Sequence, residues 1–480
     1  MKKLSTSLLL ALSLAGCSPK PIATAPEVTP PERFASLPAG TSADLQRWWA
    51  VWQDPVLNQL LERGLAQNFE IRAARSRWEE ARQLAGLASA DRGASVGASA
   101  KGSYTLAGRM ENPLNAQSRA QLAQNPNTAA LAAPHFDMND GNNLQLGLSA
   151  SWEPDFFGRK SSDEDAARAG AAAAAAQYRG AQLLTAAAIV DGYLQARALQ
   201  ARQRLHEAHL ATLKRLQHYV AGRYQAGQTS AYELNDIDSK ISALNAKGAL
   251  LHSDYERQVR ALAVLTGRRP TDFQLAEGRA DLFSRQPAAP AGALPSSLLE
   301  RRPDLLAKAA LVKARAAQVA SAQADFLPRF TLEFSLPFLS INGSSHAQGW
   351  ASMVNANLQT PLFTNGRLDR QLGAAEARLR TARLDYDQTL LQALADVDNA
   401  HQAHRALERQ NELLAAAQRA ALRQAEDGEA LFKYGHKNLD EALRARLNEQ
   451  ELAENLLSAQ LARAQTLTAL YKALGGGWGD

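Results

Sequence analysis

Apolar and polar positions follow two different rhythms along this chain. Over residues 155–269 and 362–480 the apolar positions recur at threes, fours and sevens: Ile189, Tyr193 and Ala196, then Leu213, Leu216 and Val220 in the first stretch; Leu390, Leu394 and Val397, then Leu407, Leu414 and Ala421 in the second. That spacing draws one apolar stripe along a helix, as in coiled coils. Neither stretch contains proline, which costs ~3 kcal/mol inside a helix. Both are rich in strong helix formers, including the run Ala171 to Ala176. Gly227 and Gly435 interrupt the pattern, with Thr229, Ser230 and Asn438 nearby to supply turn and capping chemistry. Each stretch is therefore expected to be a helical hairpin, with tips near 225–231 and 434–438. At 1.5 Å per residue the arm from Arg159 to Tyr224 is ~99 Å long and the return from Tyr232 to Leu265 only ~51 Å. The helix-like segments Pro55 to Ala90 and Ser297 to Asp325 supply about the missing ~45 to 55 Å.

Between these segments the period drops to two. Phe330, Leu332, Phe334, Leu336 and Phe338 alternate with Thr331, Glu333, Ser335 and Pro337, and Leu144, Leu146, Leu148, Ala150 and Trp152 alternate with Gln145, Gly147, Ser149 and Ser151. Weaker alternation runs through Val96, Ala98, Ala100 and Tyr104, and through Val354, Ala356 and Leu358. Four strands of ~10 residues result, the length a tilted membrane strand needs. One apolar and one polar face suit lipid outside and water inside; a soluble sandwich is the alternative for the strands alone. Pro337, which cannot donate to a ladder, is expected to mark a strand end. Four strands cannot close a membrane barrel, because the smallest has about eight and open edges in lipid strand backbone groups. The barrel must be shared between chains, with the connections 107–142 and 339–349 facing outward.

The long stretches repeat each other. Phe157-Gly158-Arg159 answers Asn365-Gly366-Arg367, Tyr224-Gln225-Ala226-Gly227 answers Phe432-Lys433-Tyr434-Gly435, and Leu265-Thr266-Gly267 answers Ala473-Leu474-Gly475, all at a separation of 208 residues. One separation shared over more than a hundred residues points to an internal duplication. The organisation is then a signal peptide at 1–16, an N-terminal tether at 17–53, repeat 1 at 54–267, a linker at 268–296, repeat 2 at 297–474 and a tail at 475–480.

The N-terminus adds an export signal. Lys2 and Lys3 precede an apolar run, Leu8 to Leu14, too short to span a bilayer, followed by Ala15, Gly16 and Cys17. Leu14-Ala15-Gly16-Cys17 resembles the lipobox of bacterial lipoproteins, which implies cleavage before Cys17, covalent lipid on it and, with Ser18 following, sorting to the outer membrane. Each buried methylene is worth ~0.8 kcal/mol, so several chains anchor firmly. Cys17 is the only cysteine, which excludes a disulfide within the chain. The six prolines from Pro19 to Pro38 read as a loose tether.

Charge and motifs exclude several function classes. Net charge is +5 on 53 basic and 48 acidic residues, so nucleic-acid binding has no electrostatic footprint. No phosphate-loop motif is present, and Gly475 to Gly477 follow a helix, so they cap it rather than cradle a phosphate. His206 with His209, and His401 with His404, stand three apart, but no third metal ligand is evident and a solvated polar face explains them. No catalytic constellation emerges, and no cofactor beyond the lipid is expected.

Several segments carry a family resemblance over nearly the whole mature chain: Trp48-Trp49 with Asp54-Pro55-Val56-Leu57, Trp152-Glu153-Pro154-Asp155-Phe156-Phe157-Gly158-Arg159, Glu300-Arg301-Arg302-Pro303-Asp304-Leu305, Pro361-Leu362-Phe363 with Gly366-Arg367, and Leu470 through Trp478. The chain resembles the TolC-like outer-membrane efflux factors, in the lipoprotein branch serving resistance-nodulation-division pumps. The resemblance implies a mainly α fold with a membrane β-barrel: a homotrimer whose 12 strands, four per chain, continue into a periplasmic helical barrel closed at its tips. It implies an exit duct for a tripartite efflux system, with a periplasmic adaptor on the tips, here Tyr224, Gly227, Tyr434 and Gly435, and an inner-membrane transporter supplying energy. A type I protein-secretion channel, a non-pore periplasmic lipoprotein and, more distantly, a surface hydrolase are the alternatives. In the family, acidic residues after the turn glycine ring the closed end. Here Glu233 and Asp236 follow Gly227 and Glu441 follows Gly435, but Arg444 stands where the family commonly has Asp. Glu441 and Arg444, one helical turn apart, are candidates to pair, as is Arg444 with a neighbouring chain.

Overall fold

The computed structural model describes residues 22, 24–34, 47–106, 108–124, 132–138, 141–278, 282–290, 292, 294–342 and 346–476. Cys17, the signal segment and Trp478 lie outside the described residues. After a buried 3-10 turn at Trp48–Trp52, the helices are α1 (Pro55–Gln67), α2 (Phe69–Ala90), α3 (Ala116–Ala123), α4 (Arg159–Gln225), α5 (Ala231–Leu265), α6 (Leu298–Arg301), α7 (Pro303–Ala324), α8 (Arg367–Lys433) and α9 (Leu439–Ala473). The strands are β1 (Ser95–Thr105), β2 (Gly108–Glu111), β3 (His135–Met138), β4 (Gly141–Trp152), β5 (Arg329–Asn342), β6 (His346–Trp350) and β7 (Met353–Gln359). The duplication is visible in the element lengths: α4 and α8 have 67 residues each, α5 and α9 have 35 each, and α2 and α7 have 22 each.

The chain forms two compact units. In the first, built from residues 83–167 and 315–378, the sheet runs β1-β4-β5, with β6 and β7 both on the far side of β5 and every pairing antiparallel. The β4–β5 pairing joins the two repeats. Three strands occupy the connections 107–142 and 339–349: the β2–β3 hairpin in the first, and β6 in the second, which it outruns by one residue at Trp350. Sequence reasoning misses them because, at four or five residues each, they are too short for a period of two to stand out. Pro337 does not end a strand, since β5 continues to Asn342. It lies opposite the gap between β6 and β7, where its carbonyl accepts from Ala351 N (3.0 Å) and no ladder N–H is required of it.

The second unit, residues 24–82, 168–314 and 379–480, holds the main core. Trp48 stacks on Tyr471 with ring centroids 5.3 Å apart. Asp54 is fully buried: its carboxylate caps α1 through Val56 N (2.8 Å) and accepts the Tyr193 hydroxyl (2.6 Å). Burial, and that hydrogen bond to Asp54, push the Tyr193 hydroxyl pKa up. The helical segments expected to be continuous are both broken. Asn68 separates α1 from α2, its side chain accepting from Glu70 N and Ile71 N and donating to Leu265 O (2.9 Å). Pro303 divides the second at Arg302.

Arg302 ties this unit together. It donates to Asp304 (2.7 and 3.0 Å), to Asp396 (3.2 Å) and to the carbonyls of Ala393 and Ala473. The Arg302-Pro303-Asp304 triplet is thus a bracket linking α7 to α8 and α9, which a planar guanidinium suits and an ammonium does not.

The N-terminal tether is less loose than its prolines suggest. Glu27 N and Val28 N donate to the buried Asp387 carboxylate (3.2 and 3.3 Å), Val28 packs on the core and Phe34 is buried. A proline-rich strand lacks internal backbone bonds, so its amides remain available to a carboxylate on α8.

Candidate functional site: a two-faced sheet and the helical tips

Strand register gathers the alternating residues of four strands onto two faces. Leu148 lies between Ala98 and Leu336; Leu146 between Ala100 and Phe338; Ala150 between Val96 and Phe334; and Val354 and Leu358 oppose Phe334 and Phe330. Every one of these partners is apolar. One residue along, Ser149 lies between Gly97 and Ser335, Ser151 between Ser95 and Glu333, and Asn355 and Asn357 oppose Glu333 and Thr331. Because side chains alternate strictly, this separation holds only if no strand slips by one residue. The apolar face is not covered: Leu146 is 38%, Leu148 49%, Phe334 43% and Val354 75% exposed. A soluble sandwich would bury that face, whereas a membrane strand presents it to lipid. No described helix is long and apolar enough to cross a membrane.

Both outer edges of the four-strand core, along β1 and β7, lack a partner among the described residues. Rows of unpaired N–H and C=O groups beside an apolar face call for further strands.

At the foot of the sheet the segment Trp152 to Arg159 is pinned by charge. Trp152 Nε1 donates to Arg92 O (3.2 Å), Asp155 accepts from Ser161 N (2.7 Å) at the start of α4, and Glu153 holds Arg159 (3.1 Å) and Lys160 (3.5 Å). Gly158 turns the chain at φ 75°, a conformation few other residues adopt.

The hairpin tips close as glycine caps. Gly227 (φ 70°) and Gly435 (φ 76°) each let the next residue reach back, Gln228 N to Arg223 O (2.8 Å) and His436 N to Leu431 O (2.9 Å). Ser230 and Asn438 occupy the N-cap positions of α5 and α9, but neither side chain makes a capping bond. Leu216, Val220, Ile237 and Leu443 form a small core near the tips. Tyr434 is 79% and Tyr224 45% exposed, large aromatic surfaces at the end of each hairpin.

Tip charges pair along their own helices. Asp236 holds Lys240 (2.7 Å), Glu441 meets Lys437 (3.6 Å), and Arg444 grips Asp440 through both carboxylate oxygens (2.9 and 3.1 Å). Arg444 therefore does not pair with Glu441 within the chain. Asp440 replaces the repeat-related Tyr232, and this partner lies four residues before Arg444, a spacing that favours pairing on a helix. Glu233 lies in the first turn of α5, where the helix dipole favours a carboxylate.

The histidine pairs separate in character. His401 and His404 are buried rather than solvated, and burial lowers both pKa values and favours the neutral rings; His209, half-buried, is lowered by burial as well. Among the described residues no three potential ligands converge on a metal site.

Three comparisons agree with this geometry. The family described as outer membrane efflux protein matches residues 60–268 and 294–476. The pyoverdine export outer membrane protein OpmQ of Pseudomonas aeruginosa is 29% identical over all of this chain and 97% of its own length. OpmQ of Pseudomonas putida is 30% identical, with 98% of this chain and 96% of that protein covered. The cation efflux system protein CusC of Escherichia coli is 25% identical, over 98% of this chain and 97% of its own. Among solved structures, the outer-membrane channel OprN superposes with a TM-score of 0.80 at 26% identity, covering 96% of this chain and all of that one. The open-state MtrE outer membrane channel of Neisseria gonorrhoeae gives 0.79 at 26% identity, over 96% of this chain and 98% of that one.

Proposed function

The chain belongs to the outer membrane efflux protein family, and from that premise we propose that three copies assemble the exit duct of a tripartite efflux system in the outer membrane. The observation that carries this is the sheet: an uncovered apolar face, a polar face behind it and two unpaired edges. Three copies of the four-strand core give 12 strands and close the edges β7 to β1. The polar residues Ser149, Ser151, Thr331, Ser335 and Asn357 then line a water-filled passage. Such a wall moves nothing by itself, so an inner-membrane transporter supplies energy and a periplasmic adaptor seats on the exposed tips around Tyr224, Gly227, Tyr434 and Gly435. The chain acts as a passive conduit rather than an enzyme. Cargo selection lies with the transporter; OpmQ is named for pyoverdine export and CusC for cation efflux on the same scaffold.

A lipid on Cys17 anchors each copy. The docked segment around Val28 fixes the end of its tether: the eleven residue steps from Cys17 to Val28 reach at most ~40 Å. At the far end, Glu233, Asp236, Glu441 and Arg444 form the gate. Because Asp236, Glu441 and Arg444 each carry a counter-charge on the same helix, the closed tip holds a nearly neutral ring, with Glu233 the carboxylate that has no ion-pair partner among the described residues.

Planar-bilayer recording tests the duct. Purified protein is expected to give small closed-state conductance that increases when the tip pairs are broken. A protein that inserts stably yet never conducts, with the tips intact or disrupted, would favour the non-pore lipoprotein.

A further inference from the structure

The duplication produces two equivalent seams in the sheet, and only one is closed within the chain. Inside it, β4 of the first repeat pairs with β5 of the second. Four residues beyond the end of β4, Phe156 sets its ring edge-on against Phe330, the second residue of β5, with centroids 5.2 Å apart and planes at 83°. The other seam joins the end of the second repeat, β7, to the start of the first, β1, and it is open.

The residues at the corresponding places of the open seam are apolar and bare. Leu362 and Phe363, three and four residues beyond the end of β7, are 91% and 88% exposed. Val96, the second residue of β1, is 77% exposed. The helices leading into the two seams differ in the same sense. Counting back from their last residues, α2 carries Leu84 and Leu87 where α7 carries Gln318 and Ser321. Those two leucines are 55% and 58% exposed, whereas α7 buries Val319 and Ala322 on its packed side and puts polar or small residues at the matching positions.

Within one chain these bare residues cannot meet. Val96 and Phe363 flank opposite edges of the sheet, three strand spacings or ~14 Å apart. Strand directions alternate from β1 through β4 and β5 to β7, so β7 of one copy meets β1 of another antiparallel, with the end of β7 beside the beginning of β1.

We propose that Leu362 and Phe363 of one copy close over Val96 and the Leu84–Leu87 flank of the next, forming an apolar seal at the foot of each seam between copies. The seal repeats between chains the contact that Phe156 and Phe330 make within one, and it rests on the shared-barrel reading above.

Paired cysteines test it in the full-length, detergent-extracted protein. Val96→Cys with Phe363→Cys, treated with a short bis-maleimide, should run on a denaturing gel largely as linked dimers and trimers, whereas Phe363→Cys alone should not. The control pair Phe156→Cys with Phe330→Cys should link within the chain and stay at monomer size. Leu362→Ser with Phe363→Ser should lower the temperature at which the assembly dissociates in detergent while leaving single-chain secondary structure intact. An intact trimer by native mass spectrometry with no link between positions 96 and 363 would overturn the seal alone, as would strong quenching of a Phe363→Trp variant by brominated lipid, which would place that loop in the bilayer. A protein that is monomeric by native mass spectrometry would overturn the seal together with the shared barrel.

Discussion

Replacing Leu148 by arginine asks directly which face of the sheet meets lipid. On β4 the apolar band runs from Leu144 to Trp152, about 27 Å along the strand, or ~20 Å of membrane depth at a ~40° tilt. Leu148 sits at its middle, flanked by Ala98 and Leu336 and 49% exposed. A charge on a lipid-facing strand at the midplane costs about 2–4 kcal/mol, so Leu148→Arg should destabilise the inserted state by that amount per chain and by ~6–12 kcal/mol per trimer. Ser149→Arg, one residue along and between Gly97 and Ser335, points to the water-filled side and should cost under ~0.5 kcal/mol. Denaturant titration of protein folded into lipid vesicles, followed by tryptophan fluorescence, compares the two. Equal losses, or a larger loss for Ser149→Arg, would refute the assignment of faces.

Three further outcomes follow from particular contacts. Asp191 on α4 is pushed up to about 6, first by burial and against the Thr468 hydrogen bond and the nearby Lys472 charge. A raised carboxyl pKa means its stabilising contribution is complete below about pH 4 and is lost as pH rises through about 6. Asp191→Asn should therefore stabilise the fold at pH 7.5 by up to ~3 kcal/mol from the two-unit shift, read as a higher thermal midpoint, and leave the midpoint unchanged at pH 4; a uniform shift at both values would contradict this. Arg302→Ala removes a guanidinium serving two carboxylates and two carbonyls, and with both carboxylates partly solvated the loss should be ~1–3 kcal/mol, largely unrescued by Arg302→Lys, read as a drop in midpoint. Arg444→Glu removes the cation that neutralises Asp440 and should raise single-channel conductance and cation preference; unchanged conductance with an intact trimer would remove Arg444 from the gate.

The elements most legible in the sequence are those whose side chains keep strict time. Leu144 to Trp152 and Phe330 to Phe338 announce both strand and face, because a period of two leaves a single arrangement. The fixed separation of 208 residues announces the paired long helices, and Arg159 and Arg367 do begin α4 and α8. What escaped depends on contacts distant in the chain. The Asp387 carboxylate that fixes the tether lies 360 residues from Glu27. Arg302 stands in a segment that carries the family resemblance, but what it holds is hidden until α8 and α9 bring Asp396 and the Ala473 carbonyl to it. The break at Asn68 was hidden because an asparagine cap resembles any polar helix position until its partner Leu265 is known. At the tip, the spacing after the glycines located Glu441 and Arg444 but not their partners, since several charges lie within one helical turn.

The number of chains in the assembled particle tests the central claim most directly. Native mass spectrometry of the detergent-extracted protein should give a single species of three chains, each carrying the mass of an acylated N-terminus at Cys17. A stable monomer with its apolar sheet face covered only by detergent would contradict the shared barrel and, with it, the duct.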